Sequence, residues 1–153
     1  MTTPESDSLA PFSAMLRAAL GDLLAPGATT FVEMMAHDCL MEFPFALPGG
    51  VRRLEGRAAL AQYIGGLGDI INIERMTLAT AHQTMRPGVV ILEFEGSGSG
   101  VQTGKPYTQN YISVITLRGG HIVHYRDYWN PLVAIEATGG DRAITAALQG
   151  EAN

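Results

Sequence analysis

The sequence predicts an α+β fold of one domain, with helices first and an antiparallel sheet after them. Apolar residues at helical spacing are concentrated in the first half of the chain, whereas apolar–polar alternation with glycine and proline turns dominates the second half. Helices followed by a run of strands are typical of the α+β class. The length of 153 residues is sufficient for one domain with its own core. We therefore expect a single domain over residues 1–153.

Three helices are predicted before the sheet. The first covers residues 8–24 and ends at Pro26 and Gly27, the second covers residues 28–35, and the third begins at Gly56. In these segments apolar side chains recur every three or four residues, as they do on the buried face of a helix. The pattern is clearest in the first helix, at Leu9, Phe12, Leu16, Leu20 and Leu23.

Five strands are predicted from alternation and from turn signals. They cover residues 38–45, 71–84, 89–98, 105–117 and 121–130. Pro44 places the first strand at a sheet edge or marks its end, because proline cannot donate to a strand ladder. Gly119 and Gly120 predict a tight hairpin between the last two strands. Short helices at residues 132–137 and 141–148 are expected to follow the sheet.

The composition argues against several classes of function. The formal net charge of −5, the absence of a basic run and the pI near 5.2 disfavour binding to nucleic acid or to an anionic membrane. No apolar run approaches the roughly 20 residues of a membrane span, and the polar N-terminus does not resemble a signal peptide, so we expect a cytoplasmic protein. With 46% apolar and only 16% charged residues, the chain is expected to enclose a cavity, to bury an oligomer face, or both.

Motifs for metal or phosphate binding are weak. The glycine-rich run at residues 96–100 has strand signals on both sides, so it predicts a bulged or flexible hairpin and not a phosphate loop that opens a helix. His121 and His124 are three residues apart and would face opposite sides of a strand. Cys39 is the only cysteine, which excludes an internal disulfide and a multi-cysteine site. We expect no bound metal and no cofactor.

The segment His124–Leu132 places one carboxylate among aromatic and imidazole rings. In a strand, Tyr125, Asp127 and Trp129 share one face. A carboxyl group flanked by tyrosine and tryptophan on an apolar face acquires a raised pKa and is suited to acid–base chemistry. The alternative is that Asp127 pairs with a neighbouring arginine or caps the helix that begins near Pro131.

Neighbouring strands offer further candidates for a pocket wall. Tyr107, Gln109, Tyr111 and Ser113 share one strand face, which is too polar for a plain core and too aromatic for plain surface. Such a face suits the wall of a small-molecule pocket or, alternatively, a dimer interface. Glu93 and Glu95 share a face of the preceding strand. That face is either solvated, or one of the two carboxylates enters a cavity beside Asp127.

The predicted elements follow one another in a characteristic order and carry four motifs, Met41-Glu42-Phe43-Pro44-Phe45, Leu54-Glu55-Gly56-Arg57, Thr103-Gly104-Lys105-Pro106-Tyr107 and Tyr125-Arg126-Asp127-Tyr128-Trp129-Asn130-Pro131. In this order and in these motifs the chain resembles the SnoaL-like group of the nuclear-transport-factor-2-like superfamily over about residues 9–137. The resemblance implies a cone in which a strongly curved antiparallel sheet wraps around three N-terminal helices and encloses a pocket. It also implies a homodimer formed through the outer face of the sheet. The group includes polyketide cyclases, limonene epoxide hydrolase and phenazine-biosynthesis A/B proteins.

The resemblance assigns Asp127 to an acidic position that faces the pocket and takes part in proton transfer in limonene epoxide hydrolase and the phenazine proteins. It assigns Tyr125 and Trp129 to the flanking walls. Two partners of these known members are absent. No arginine lies at residues 92–96, so the Asp–Arg–Asp triad of the epoxide hydrolase is incomplete. The phenazine proteins carry a histidine on the third helix, where this chain offers Gln62 or Tyr63.

Ketosteroid isomerase, which has the same fold, carries two carboxyl groups that this chain lacks. Phe43 stands before Pro44, where the isomerase has its base, and Ser113 corresponds to its oxyanion-hole aspartic acid. None of the named chemistries therefore transfers whole.

We expect a cofactor-free acid–base enzyme of the isomerase, cyclase, dehydratase or hydrolase type, which acts on a hydrophobic cyclic or polyketide-like substrate with Asp127 as general acid or base. The expected substrate-binding residues are Tyr125, Trp129, Gln109, Tyr111, Phe43, Tyr63 and Glu95. The alternative is a protein that only binds a small apolar ligand. In that case Asp127 would be an ionised anchor paired with an arginine or a backbone amide.

Overall fold

The computed structural model describes residue 7 and residues 9–140, which form a six-stranded curved sheet with helices packed against one face. The strands are β1 (Met35–Glu42), β2 (Arg53–Glu55), β3 (Ile71–Gln83), β4 (Val89–Gly100), β5 (Pro106–Arg118) and β6 (His121–Tyr128). The described α-helices are α1 (Ala10–Leu20), α2 (Phe31–Met34), α3 (Arg57–Leu67) and α4 (Pro131–Thr138). The predicted α+β class is confirmed. The helix predicted at residues 141–148 lies outside the described residues.

The strands are arranged in the order β2-β1-β6-β5-β4-β3. Strands β3 to β6 form the predicted antiparallel meander, and its last hairpin turns at Gly119 and Gly120, which have φ values of 61° and 87°. The sheet is nevertheless mixed, because β1 pairs with β6 in parallel. Alternation along β1 indicates a strand but carries no information about its partner or direction. The edge strand β2 was not predicted, since three half-exposed or exposed residues give no periodic signal.

Local signals explain why α2 is shorter than predicted and why β1 keeps the predicted length but lies three residues earlier in the chain. Helix α2 begins at a capping box in which Thr30 accepts a hydrogen bond from the Glu33 backbone amide and the Glu33 carboxylate accepts one from the Thr30 amide. Strand β1 ends at Glu42, before Pro44, and a turn closed by a hydrogen bond from the Ala46 amide to the Phe43 carbonyl follows it. Phe45, predicted to continue the strand, is 54% exposed.

The main core lies between the first three helices and the inner face of the sheet. Its fully buried side chains include Leu16, Phe31, Met34, Leu60 and Tyr125. A second, smaller apolar cluster lies under α4 and consists of Ile71, Tyr107, Ala134 and Ala137. No helix among the described residues is long and apolar enough to cross a membrane. The two clusters leave a space between them at one end of the sheet, where the candidate site is found.

The glycine-rich run lies inside β4, where other chain segments approach its backbone closely. A Cβ atom on Gly98 would overlap the backbone carbonyl oxygen of Asn72, and one on Gly100 would overlap that of Ala137. A Cβ on Gly96 would lie 2.9 Å from the sulfur of Met76. A bulge was expected in the glycine-rich run of β4. The bulge lies instead in the partner strand β3, where the register shifts between residues 73 and 75. The run therefore serves packing of β3 and α4 against β4.

Replacing Gly98 with alanine is expected to destabilise the fold by about 1–3 kcal/mol, because the added methyl group must displace the β3 backbone. Chemical denaturation in urea measures the loss as a lower midpoint at an unchanged slope. Ser97→Ala is the matched control, since it adds no atom to the same stretch of β4. Equal midpoints for the two variants would contradict the packing role of Gly98.

Candidate active site

A cavity of about 100 Å³ opens between the two core clusters and the inner face of the sheet. Its walls come from all four described α-helices and from strands β1, β3, β4 and β5 with the end of β6. Most of the lining is aliphatic or phenylalanine side chains. The polar atoms at its walls belong to five residues, Tyr63, Tyr107, Tyr111, Asp127 and Trp129. The volume is of the order of an engineered apolar cavity that binds benzene, roughly 150 Å³.

Asp127 is the one carboxyl group of the cavity wall within the described residues. Strand alternation directs it inward from β6, opposite Ser113 of β5. Although the residue is only half-buried by surface area, its carboxyl group lies deep among protein atoms, and burial raises its pKa from 3.8 to about 7. No hydrogen bond or ion pair to Asp127 is formed by the described residues. The group therefore exists in both protonation states near neutral pH.

The geometry does not support the two structural roles considered for Asp127, which are to cap the helix near Pro131 and to pair with an arginine. The side chain that caps α4 is that of Asn130, which accepts a hydrogen bond of 3.0 Å from the Leu132 amide. Among the described residues, no arginine pairs with Asp127, and the neighbouring Arg126 belongs to the opposite side of the strand by alternation. The paired, ionised anchor expected for a purely binding role is likewise not found in this part of the chain.

A pair of tyrosines forms the polar side of the cavity wall. The hydroxyl oxygens of Tyr107 and Tyr111 are 2.6 Å apart, and the Tyr111 ring stacks on Phe94 at a centroid distance of 4.9 Å. Burial raises the pKa of Tyr107 to about 12 and that of Tyr111 well above its ordinary value, so both remain protonated. Two hydroxyl groups carry two hydrogens, and their mutual bond uses one. The pair can therefore donate the other to a ligand oxygen.

Phe43 and Tyr63 line the cavity as expected, with their rings 5.2 Å apart. Burial raises the pKa of the Tyr63 hydroxyl, and the negative charge of Asp127 raises it further. Tyr63 is thus a neutral donor within electrostatic reach of the carboxyl group. Trp129 also lines the cavity, two residues beyond Asp127.

Three of the expected substrate-binding residues do not line the cavity, because a shared strand face does not guarantee access to it. Gln109 is fully buried, and its side-chain amide donates to the Asn130 carbonyl and accepts from the Asn130 amide, both at 2.8 Å. Tyr125 is fully buried beneath the cavity, where its hydroxyl lies 2.6 Å from Ser113 Oγ. Glu95 is exposed on the opposite face of β4.

Glu93 also stays outside the cavity, where it pairs with His82 at 2.6 Å on the surface. The β4 alternation is unbroken, so Leu92 and Phe94 point inward and both glutamates point outward. Tyr107 lines the cavity although it is not among the expected substrate-binding residues. Its signal was present, since Tyr107 shares a strand face with Tyr111.

Within residues 9–140, no three or more histidine, cysteine, aspartate or glutamate side chains come together in a group that could hold a metal ion. His124 instead pairs with Glu42 at 2.6 Å between β6 and β1. The chemistry available at the described cavity wall is therefore that of one carboxyl group and neutral tyrosine hydroxyl donors.

The raised pKa of Asp127 predicts a specific dependence of stability on pH. The folded protein holds a proton at this site up to about pH 7, whereas the unfolded chain releases it near the ordinary value of 3.8. The wild type should therefore lose stability relative to Asp127→Asn as the pH rises from about 4 to about 7, by up to about 4 kcal/mol. Urea denaturation of both proteins across this range measures the difference.

The exposed Asp22 supplies the matched control, since Asp22→Asn makes the same chemical change at the surface. Its stability difference from the wild type should stay nearly constant across the same pH range. A ¹³C NMR titration of the Asp127 carboxyl carbon should give a midpoint near 7. A midpoint near 4 would overturn the description of the site as a desolvated carboxyl group.

Comparison with known proteins places the chain among SnoaL-like proteins. The family model described as the SnoaL-like domain matches residues 16–125. An uncharacterised protein of Bacillus subtilis, YesE, is 41% identical over 125 residues, which are 82% of this chain and 85% of that protein. An uncharacterised PhzA/B-like protein of Pseudomonas aeruginosa is 38% identical over 123 residues, with 80% and 86% covered.

Solved structures agree with this placement. A Bacillus subtilis protein provisionally described as an isomerase is 37% identical, with a TM-score of 0.71 and coverage of 86% of this chain and 94% of that one. A Catenulispora acidiphila protein with a ketosteroid isomerase-like fold is 17% identical, with a TM-score of 0.62 and coverage of 92% and 96%, and shows the fold alone. The match over most of the chain and the identity above 30% together show that the chain belongs to the SnoaL-like domain family.

Proposed function

We propose that the protein is a cofactor-free acid–base enzyme that acts on a hydrophobic cyclic or polyketide-like small molecule. One observation carries the proposal. A single carboxyl group, Asp127, stands in an apolar cavity without an ionic or hydrogen-bonding partner among the described residues, and burial raises its pKa to about 7. Catalytic acids and bases work best when their pKa lies near the operating pH. A lone desolvated carboxyl group is suited to that role.

The proposed mechanism moves one proton out and back. Ionised Asp127 takes a proton from a carbon or oxygen atom of the bound substrate, and the resulting carboxylic acid returns it to another atom. The free hydroxyl hydrogen of the Tyr107–Tyr111 pair, or that of Tyr63, donates to the substrate oxygen on which negative charge develops. Isomerisation, cyclisation, dehydration and addition of water all fit this sequence. The description of the Bacillus subtilis relative as an isomerase agrees with it.

A second function is simple binding of a small apolar ligand. The observation in its favour is that neither a second carboxyl group nor a basic side chain joins Asp127 at the described cavity wall. In that case the carboxyl group would act in its protonated form, as a hydrogen-bond donor to a ligand oxygen. The enzyme is the preferred proposal, because a carboxyl group with a pKa near 7 inside a cavity is typical of catalytic sites.

We also propose a homodimer formed through the outer face of the sheet. Ile91, Ile112 and Val114 lie next to one another on that face, where Ile91 pairs with Val114 in the β4–β5 register. Tyr128 of β6 pairs with Ile112 and extends the patch, and Ile112 itself is 44% exposed. Contiguous apolar groups on a sheet face are typical of an interface core. Dimerisation would leave the cavity, on the other face, free for ligand.

A probe reaction tests the acid–base role without knowledge of the natural substrate. 5-Nitrobenzisoxazole is a small apolar ring system that opens when a base removes its C–H proton, as the N–O bond breaks to give a cyanophenolate. The rate should rise with pH through a midpoint near 7, because the base is the ionised carboxylate. Asp127→Asn should lower it on the order of 100-fold or more.

Asp22→Asn, at an exposed position, is the control for that measurement and should keep the wild-type rate. Tyr111→Phe should lower the rate less than Asp127→Asn, because it removes a donor and leaves the base. An equal rate in the wild type and in Asp127→Asn would contradict the acid–base proposal and favour the binding of a small apolar ligand as the function.

Sedimentation equilibrium tests the dimer. The wild type should sediment at twice the chain mass of 16.3 kDa at micromolar concentrations. Ile112→Lys should shift it to the monomer, because a dimer would have to remove the lysine charge from water, and burying a charge is costly even beside Glu93, its neighbour in the β4–β5 register. Ala58→Lys, on the exposed side of α3, should remain dimeric. A wild type that sediments as a monomer throughout would contradict the interface.

A further inference from the structure

Six side chains on the outer face of the sheet form a grid of two adjoining rows. In the strand register, one row consists of Arg126, Val114 and Ile91, and the other of Tyr128, Ile112 and Glu93. The two charged side chains stand at opposite corners of this grid. Apolar or aromatic side chains occupy the other two corners and the centre. A ridge of low polarity therefore separates one cation from one anion.

Arg126 has no partner in its own chain among the described residues. In this part of the chain, its Nε atom is covered by protein and accepts no partner, and no carboxylate forms an ion pair with the guanidinium group. Glu42 is its neighbour in the β1–β6 register, but that carboxylate lies 2.6 Å from His124 Nε2. A half-buried guanidinium group loses water without gaining an acceptor, so an acceptor from outside the chain would stabilise it.

Glu93, at the opposite corner, is accessible to a second partner. Its carboxylate lies 2.6 Å from His82 of β3, and the two side chains are 47% and 46% exposed. Exposed pairs of this kind contribute little to stability. A carboxylate also has several acceptor positions, so Glu93 can accept hydrogen bonds from a guanidinium group while it keeps His82.

The grid limits how a second copy of the chain can lie against this face. In a face-to-face dimer the two-fold axis lies between the two sheets and parallel to them. An axis parallel to the strands would place Arg126 opposite Ile91, and an axis parallel to the rows would place it opposite Tyr128. An axis along the diagonal from Ile91 to Tyr128 places Arg126 opposite Glu93. Of these three axes, only the diagonal one brings unlike charges together.

We propose that the two-fold axis of the homodimer runs along this diagonal and that Arg126 of each chain pairs with Glu93 of the partner subunit. With strands about 4.8 Å apart and same-face residues about 6.8 Å apart along a strand, both charges lie about 6 Å from the axis, on opposite sides. Facing sheets lie roughly 10 Å apart, a gap that an arginine and a glutamate side chain bridge together. The inference rests on the proposed homodimer and adds its orientation.

The apolar ridge and the charged corners have different roles in this arrangement. Ile91, Val114, Ile112 and Tyr128 lie within roughly 2 Å of the diagonal axis, so each contacts its own counterpart in the second copy. Their burial supplies most of the affinity. The two symmetry-related ion pairs fix the orientation, because any other axis would bury a charge against an apolar side chain.

Charge reversal tests the pairing, because the homodimer contains the contact twice. Arg126→Glu alone should place like charges opposite each other at both contacts, and so should Glu93→Arg alone, so each variant should sediment as a monomer at micromolar concentrations. An equimolar mixture of the two should sediment as a dimer, since the introduced charges then face each other and the native pair forms at the other contact. A mixture that stays monomeric although both variants fold would overturn the proposed axis.

Neutral variants provide a second measurement, because Arg126→Glu adds a carboxylate beside Glu42. Arg126→Met and Glu93→Gln should each raise the dimer dissociation constant about 10- to 100-fold, and the double variant should be no weaker than the single ones. Urea denaturation checks that each variant folds. Losses that multiply in the double variant would show that the two residues act independently, and would overturn their pairing.

Matched charge reversals outside the grid serve as controls. Arg86→Glu, in the turn after β3, and Glu136→Arg, on α4, are at exposed positions and should both remain dimeric. A wild type that sediments as a monomer would contradict the homodimer together with this inference. A dimeric wild type in which Arg126 and Glu93 show no coupling would contradict the pairing alone and leave the homodimer in place.

Discussion

The end of β6 presents the Asp127 carboxyl group to an apolar cavity without a hydrogen-bonding or ionic partner among the described residues, and the rest of the site depends on this constraint. Strand β6 can do this because it is central, with β1 on one side and β5 on the other. The backbone amides and carbonyls of β6 form hydrogen bonds with β1 and with β5, so the side chains of β6 are not needed as their partners. Tyr125 fills the core below, and Asp127 stands above it at the cavity. The fold thus contributes the desolvation that raises the carboxyl pKa.

The cavity persists because its ends are tied by polar contacts that lie outside it. The two hydrogen bonds between Gln109 and the Asn130 backbone fix the point where β6 passes into α4. Thr103, on the far side of α4, donates to the Ala137 carbonyl, and the close approach at Gly100 brings α4 against β4. These contacts hold α4 over the cavity and lie outside the cavity wall, which remains almost entirely apolar. The polar side chains of the wall are therefore limited to the few that border the cavity.

Sequence alternation located the elements and the carboxyl group, but not the depth of each side chain. Asp127 and Trp129 could be assigned to the cavity because the strand period and the family motif agreed. Tyr111 followed from the strand period alone, and Phe43 and Tyr63 followed from the resemblance to the family. Gln109 and Tyr125 lie on the inner face of the sheet, but other atoms bury them completely. The alternation of a strand shows which face a side chain is on and does not show how deeply it is buried. The position of Glu95 depended on which strand holds the bulge, and the bulge is in β3. The parallel β1–β6 pair was equally inaccessible, since alternation does not specify a partner.

The cavity wall separates the group that can exchange a proton from the groups that can only donate a hydrogen bond. Asp127 has a pKa raised by burial to about 7, so it can gain or lose a proton near neutral pH. The hydroxyls of Tyr63 and of the Tyr107–Tyr111 pair border the same cavity, and burial keeps them protonated. Reactivity and orientation of a bound molecule can therefore be set by different residues, because only the carboxyl group changes its charge in this pH range.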